Sequence, residues 1–142
     1  MKKLFFILFS ISIILSNLSC APIQSGPIAV TVKLKWTCVG DDGNSGTASH
    51  YDLRYSTSTI SDANFNALTN KIAESTMPIP KIAGTKDSVI LSLTLQSSTT
   101  YYFAMKVGDE VINWSTVSNN ATITTPDIDS PAAVTDLTGT IQ

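Results

Sequence analysis

From residue 28 onward, apolar side chains recur at every second position, in short runs separated by Gly, Pro, Asp and Asn. In IAVTVKLKWT, Val30, Val32, Leu34 and Trp36 share one face, and Lys33 and Lys35 take the other. In YDLRYS, Tyr51, Leu53 and Tyr55 alternate with Asp52 and Arg54. SVILSLTL lines up Val89, Leu91, Leu93 and Leu95 against Ile90, Ser92 and Thr94. TYYFAMKV sets Tyr101, Phe103, Met105 and Val107 opposite Tyr102, Ala104 and Lys106. A weaker run, STVSNNATITT, carries Val117, Ala121 and Ile123 on one side. A period of two predicts strands with one buried face each. One-sided strands bury those faces by stacking as two sheets. The turn-forming stretches VGDDGNSGTAS, PIPKIAGTKD, LQSST and VGDEVIN separate them. TISDANFNALTNKIAES is less regular: Ile60, Phe65, Leu68 and Ile72 fit a short helical turn or an irregular edge strand, and we read it as an edge strand plus loop.

The aromatic run Tyr101-Tyr102-Phe103 begins six residues after Leu95 ends a strand. A tyrosine just past a crossover between sheets buries its ring and returns its hydroxyl to the connecting backbone, the tyrosine corner of Greek-key sandwiches. The predicted core is therefore Trp36, Tyr51, Tyr55, Leu95, Tyr101 and Phe103.

Trp36 on one strand, Tyr51 and Tyr55 on the next, and Leu95, Thr99 and Tyr101 at the corner together resemble a fibronectin type III domain. The match is to a bacterial subgroup, through GDDGNSGTAS-YDLRYS and TYYFAMK, DE, NWS and SN near the end, and covers residues 28–125. The resemblance implies an all-β, immunoglobulin-like, two-sheet Greek-key sandwich. It departs from the family in two places. DEVINWS carries Val111 and Ile112 where the subgroup has a glycine. The strand that should open the domain about twenty residues before Trp36 falls within the leader, so the first strand is short, reduced to PIQSGP, or missing. After a linker at 126–130, residues 131–142 (PAAVTDLTGTIQ) resemble the start of a second repeat, with Pro131, Val134 and Leu137 in place. Alternatively Val134 to Ile141 is a free strand that fills the vacant first position or pairs with a neighbouring molecule.

The first nineteen residues are of another kind. Lys2 and Lys3 precede a short apolar stretch from Leu4 to Leu15, as in an export signal. Leu18-Ser19-Cys20 resembles the end of a lipobox, with Asn17 in the usual aliphatic place. This makes Cys20 the expected lipid attachment point and residues 20–27 an anchor and linker, so the chain meets the membrane through acyl chains. Ala21 after Cys20 resembles what outer-membrane lipoproteins carry. With Cys20 acylated, Cys38 is the only remaining cysteine, and no internal disulfide is expected.

Only 14% of residues are charged, with a net charge of −2, which argues against nucleic acid as a partner. In the implied fold the loops after the Trp36 strand and the Tyr101 strand lie at one end, bringing Asp41, Asp42 and Asn44 toward Asp109, Glu110, Asn113 and Trp114. Oxygen ligands of this type suit calcium. Asp, Asn and Gly are equally the residues of tight turns, and the spacing fits no calcium loop. The set is therefore a candidate binding surface, with no metal or cofactor expected. Cys38 and His50 bracket one loop as a thiol with a potential base, but no third group orients them, and no catalytic site is expected. Tyr102 and Trp114 are candidate contacts for a sugar or a protein. The expected role is a non-catalytic, exported interaction or spacer module of a bacterial envelope lipoprotein. The alternatives are the accessory domain of an exported enzyme, such as a hydrolase with its catalytic domain beyond residue 142, and a carbohydrate-binding module.

Overall fold

The computed structural model describes residues 26–142, so the leader and Cys20 lie outside the described residues. Among the described residues, five strands form where the two-residue period runs: β1 (Pro27–Thr37), β2 (His50–Ser56), β3 (Lys86–Gln96), β4 (Thr100–Gly108) and β5 (Ala121–Thr124). β1 pairs antiparallel with β3, from Pro27 opposite Gln96 to Thr37 opposite Lys86. β4 pairs antiparallel with β2 on one side and β5 on the other, giving the order β2-β4-β5. The protein is all-β, built of two antiparallel sheets.

The inward faces are the ones the alternation marks. Val32, Leu34, Val89, Leu91 and Leu95 of the first sheet meet Leu53, Tyr101 and Phe103 of the second. Lys33, Lys35 and Ile90 point outward. Each fully buried Leu or Phe contributes roughly 1.5–3 kcal/mol through removal of apolar surface from water. The Tyr101 hydroxyl accepts the Gln96 backbone N–H at 3.0 Å, so the chain crosses between sheets as the aromatic run implied. Tyr55 stacks on Phe103 with ring centroids 5.4 Å apart. Trp36 and Tyr55 are only partly buried and pack against the margin of the core.

Three expectations change. Residues 59–72 are not an edge strand followed by a loop. They form a strap across the outer face of the second sheet, with one helical turn, α1 (Asp62–Phe65). Phe65 is fully buried there, in a second cluster with Ile60 and Ala104, against which Leu68, Tyr102 and Val117 pack. Only the end of the strap runs along the sheet edge: the Tyr55 N–H reaches the Asn70 carbonyl and the Ile72 N–H reaches the Leu53 carbonyl. Strand alternation cannot reveal this, because the strap's apolar residues cover a sheet face instead of joining one.

Val117 does not share a side with Ala121 and Ile123. Ser115 N–H bonds the Val107 carbonyl and Ser118 N–H the Met105 carbonyl, so three residues on one strand oppose two on the other. The Ser115 and Ser118 hydroxyls accept the Val107 and Met105 N–H groups. Such bulges shift the side-chain alternation, and Val117 turns to the strap while Ile123 stays with the main core.

Val134 to Ile141 does not fill the first-strand position. The segment is in no strand and is exposed throughout. Ser98 N–H holds the Pro126 carbonyl at 3.0 Å. Pro126 and Pro131 favour extended backbone in the residues before them. Among the described residues, β1 has no strand on its other side.

Candidate functional site at the loop end

The loop after β1 is shaped by turn chemistry. Gly40 N–H bonds the Gly43 carbonyl, and Asp42 and Ser45 exchange two backbone hydrogen bonds of 3.2 Å each. A Cβ on Gly40 would stand 1.8 Å from the Ser45 carbonyl oxygen, so this close approach admits only glycine. The loop after β4 is tied by Asp109. Its carboxylate accepts the Val111 and Asn113 N–H groups at 3.0 and 2.7 Å, and the Asn113 side-chain amide at 2.6 Å. These bonds, led by the Asn113 N–H, hold Asp109 below the usual carboxylate range. Ile112 then adopts φ 63°, the left-handed region that favours glycine.

The two loops do meet. Asp41, Asp109, Asn113 and Trp114 line one cleft of ≈ 380 Å³, together with Val39 and Gly108. Asp41 is solvent-exposed yet raised above the ordinary 3.8, first by partial shielding from its neighbours and next by the nearby negative charge of Glu110. The Trp114 ring packs against Gly108, 3.1 Å from where a Cβ would stand, and remains 42% exposed. Asp42 adds charge beside Asp41 but does not line the cleft. Asn44 stands exposed in the turn between Asp42 and Ser45, apart from it. Val39, Val111 and Ile112 are exposed apolar residues of the same two loops. Val111 and Ile112 stood in the sequence only as a departure from a family pattern. Their exposure at a loop tip was the overlooked signal of an apolar surface.

Among the described residues, no group of three His, Cys, Asp or Glu side chains converges as a metal would require. Cys38 and His50 do not pair. The Cys38 thiol is buried 3.5 Å from the Tyr51 hydroxyl, which also accepts the Trp36 indole N–H. Burial first, and Cys38 second, push the Tyr51 hydroxyl well above its usual range. His50 Nδ1 instead lies 2.7 Å from a Glu74 carboxylate oxygen. Tyr102 is half-buried and packs against the strap cluster of Ile60, Phe65 and Ala104.

Compared with known proteins, the chain matches no family model, no curated protein and no solved structure.

Proposed function

We propose that this chain is a non-catalytic interaction module of the fibronectin type III kind, Greek-key in topology, exported and held at a bacterial envelope by lipid on Cys20. It meets its partner through the loop end. The observation that carries the reading is the set of side chains on these two loops: exposed Val39, Val111, Ile112 and Trp114, with the carboxylates of Asp41 and Glu110 near each other. Apolar side chains rimmed by charge are the usual anatomy of a protein contact. The Tyr101-to-Gln96 hydrogen bond and the cross-sheet alternation support the family assignment. The full chain expressed in a diderm bacterium is expected to take up labelled palmitate and to fractionate with the envelope, and Cys20→Ser to lose both. A photo-crosslinking residue placed at Val111 is expected to yield an envelope-protein adduct that Trp114→Ala weakens. Failure of labelling rejects the anchor, and absence of any adduct rejects the loop-end contact.

A carbohydrate-binding role is a second reading, favoured by the half-exposed face of Trp114 above its cleft. It requires tryptophan fluorescence to shift on titration with cell-wall polysaccharide, and Trp114→Ala to remove the shift.

A further inference from the structure

We infer that the open edge of β1 is a docking groove for the C-terminal tail of a second copy of this chain. The hydrogen bonds at the two ends of the β1–β3 ladder show which groups are left over. Ser97 N–H reaches Gly26 O, and Cys38 N–H reaches Thr85 O, in one continuous register. Even-numbered residues of β1 therefore bond to β3, and the N–H and C=O groups of Ala29, Thr31, Lys33 and Lys35 point the other way. Among the described residues no backbone hydrogen bond meets them. The far edge of β3 is treated differently. Its Ser88 N–H is taken by the Asp87 carboxylate at 2.9 Å and its Gln96 N–H by the Tyr101 hydroxyl. Side chains thus close that edge at both ends, while the β1 edge stays open.

The open edge borders a hollow between the sheets. A cleft of ≈ 420 Å³ runs beside Lys35, floored by Trp36, Tyr51 and Met105 and walled by residues 115–119. A smaller hollow continues along the same line to Leu34, Leu53 and Phe103. Trp36 is only partly buried and lines this cleft. Unpaired backbone beside an apolar trough is what strand addition requires: the ladder supplies affinity, and alternate side chains fill the trough.

The tail has the matching length, pattern and charge. Ala132 to Ile141 spans about 33 Å when extended, close to the length of the eleven-residue β1. Leu137 and Ile141 fall on one face of such a strand and are 88% and 103% exposed, so both gain by entering the trough. Residues 126–142 contain Asp127, Asp129 and Asp136 and no Lys or Arg, whereas β1 shows Lys33 and Lys35 to solvent and has no acidic residue. The tail joins no strand of its own chain and is exposed from residue 131 to 142, so it is available to a neighbour's edge. Reciprocal exchange of two tails closes a two-fold dimer.

The test uses the full exported chain with Cys20→Ser, which removes the expected lipid and alters none of the described residues. Sedimentation velocity across a wide concentration range should show a monomer–dimer equilibrium that weakens as salt is raised. Leu137→Asp with Ile141→Asp should weaken association at least tenfold without changing the melting temperature. Lys33→Glu with Lys35→Glu, which leaves the backbone edge intact, should weaken it less. A peptide of residues 129–142 should bind the chain truncated after Ile128 and slow hydrogen exchange of the Thr31, Lys33 and Lys35 amides. A monomer at every concentration overturns the inference, including one whose β1 edge is protected by its own tail. Association that survives the tail substitutions overturns it equally. Neither result bears on the anchor at Cys20 or on the loop-end surface.

Discussion

At the scale of single residues, the loop after β4 holds a backbone conformation that its side chain opposes. Ile112 sits at φ 63°, and a β-branched residue in the left-handed region costs about 1–2 kcal/mol. The position survives because Asp109 over-determines the turn with three side-chain bonds. Ile112→Gly relieves the strain but adds freedom to the unfolded chain, an opposing effect of about 0.5–1 kcal/mol. We expect a net gain of about 0.5–1 kcal/mol, visible as a small rise in thermal midpoint. A lower midpoint would mean that the exposed Ile112 side chain makes stabilising contacts. Ile112→Gly should also weaken the loop-end contact, since it removes an exposed apolar side chain there.

At the scale of elements, Arg54 decides where the strap lies. Its Nε and Nη2 form a fork on the two Asp52 oxygens at 2.9 and 2.8 Å. Its Nη1 donates to the carbonyls of Phe65, Asn66 and Leu68 at the end of α1, and the guanidinium lies 4.8 Å from the centre of the Phe65 ring. At the other end of the strap, the Asn120 amide bonds both the N–H and the carbonyl of Ile60. Lys has neither the planar fork nor five donors, so Arg54→Lys is not conservative here. We expect it to cost about 2–3 kcal/mol in urea unfolding, the range for losing charge-assisted bonds at a buried carboxylate. Amides of residues 61–70 should exchange faster while those of β3 and β4 keep their protection. Uniform loss of protection would show that strap and sandwich unfold as one unit. The sequence displayed Arg54 only as the polar partner of Leu53 and Tyr55. Its three carbonyl acceptors lie eleven to fourteen residues away, and no local pattern encodes that reach.

At the scale of the whole molecule, acid sensitivity follows from the carboxylates. Burial alone would raise Asp52, but the hydrogen bonds of Arg54 and Lys71 outweigh it and hold it below the ordinary 3.8. Asp87 is likewise held down by Lys81 against its burial, and Asp62 chiefly by Lys106. With Asp109 also lowered, these groups contribute stability that is present above 3.8 and is lost as pH falls through their folded values. Asp41 has the opposite sign. Its raised value favours the protonated folded form, a contribution that is present below 3.8 and is lost as pH rises through its folded value. Urea midpoints should therefore hold steady from neutral pH to about 5 and fall below about 4. Asp41→Asn should be slightly more stable than the parent at pH 7, with the difference vanishing on acidification. A midpoint that rises below pH 4 would contradict the ion pairs of Asp52 and Asp87.

The amino-acid order alone determined which side chains of β1 to β4 line the core between the sheets, because a pleated strand alternates whatever surrounds it. It also announced the crossover at Tyr101, because a ring followed by a core-facing Phe103 places the hydroxyl back over the preceding turn. Only the tertiary structure decided that residues 59–72 cross a sheet face, that the chain slips in register at Ser115 and Ser118 before β5, and that Trp36 is only partly buried. Those outcomes depend on partners distant in the chain, and their free energy comes from contacts that exist only once both sheets are in place.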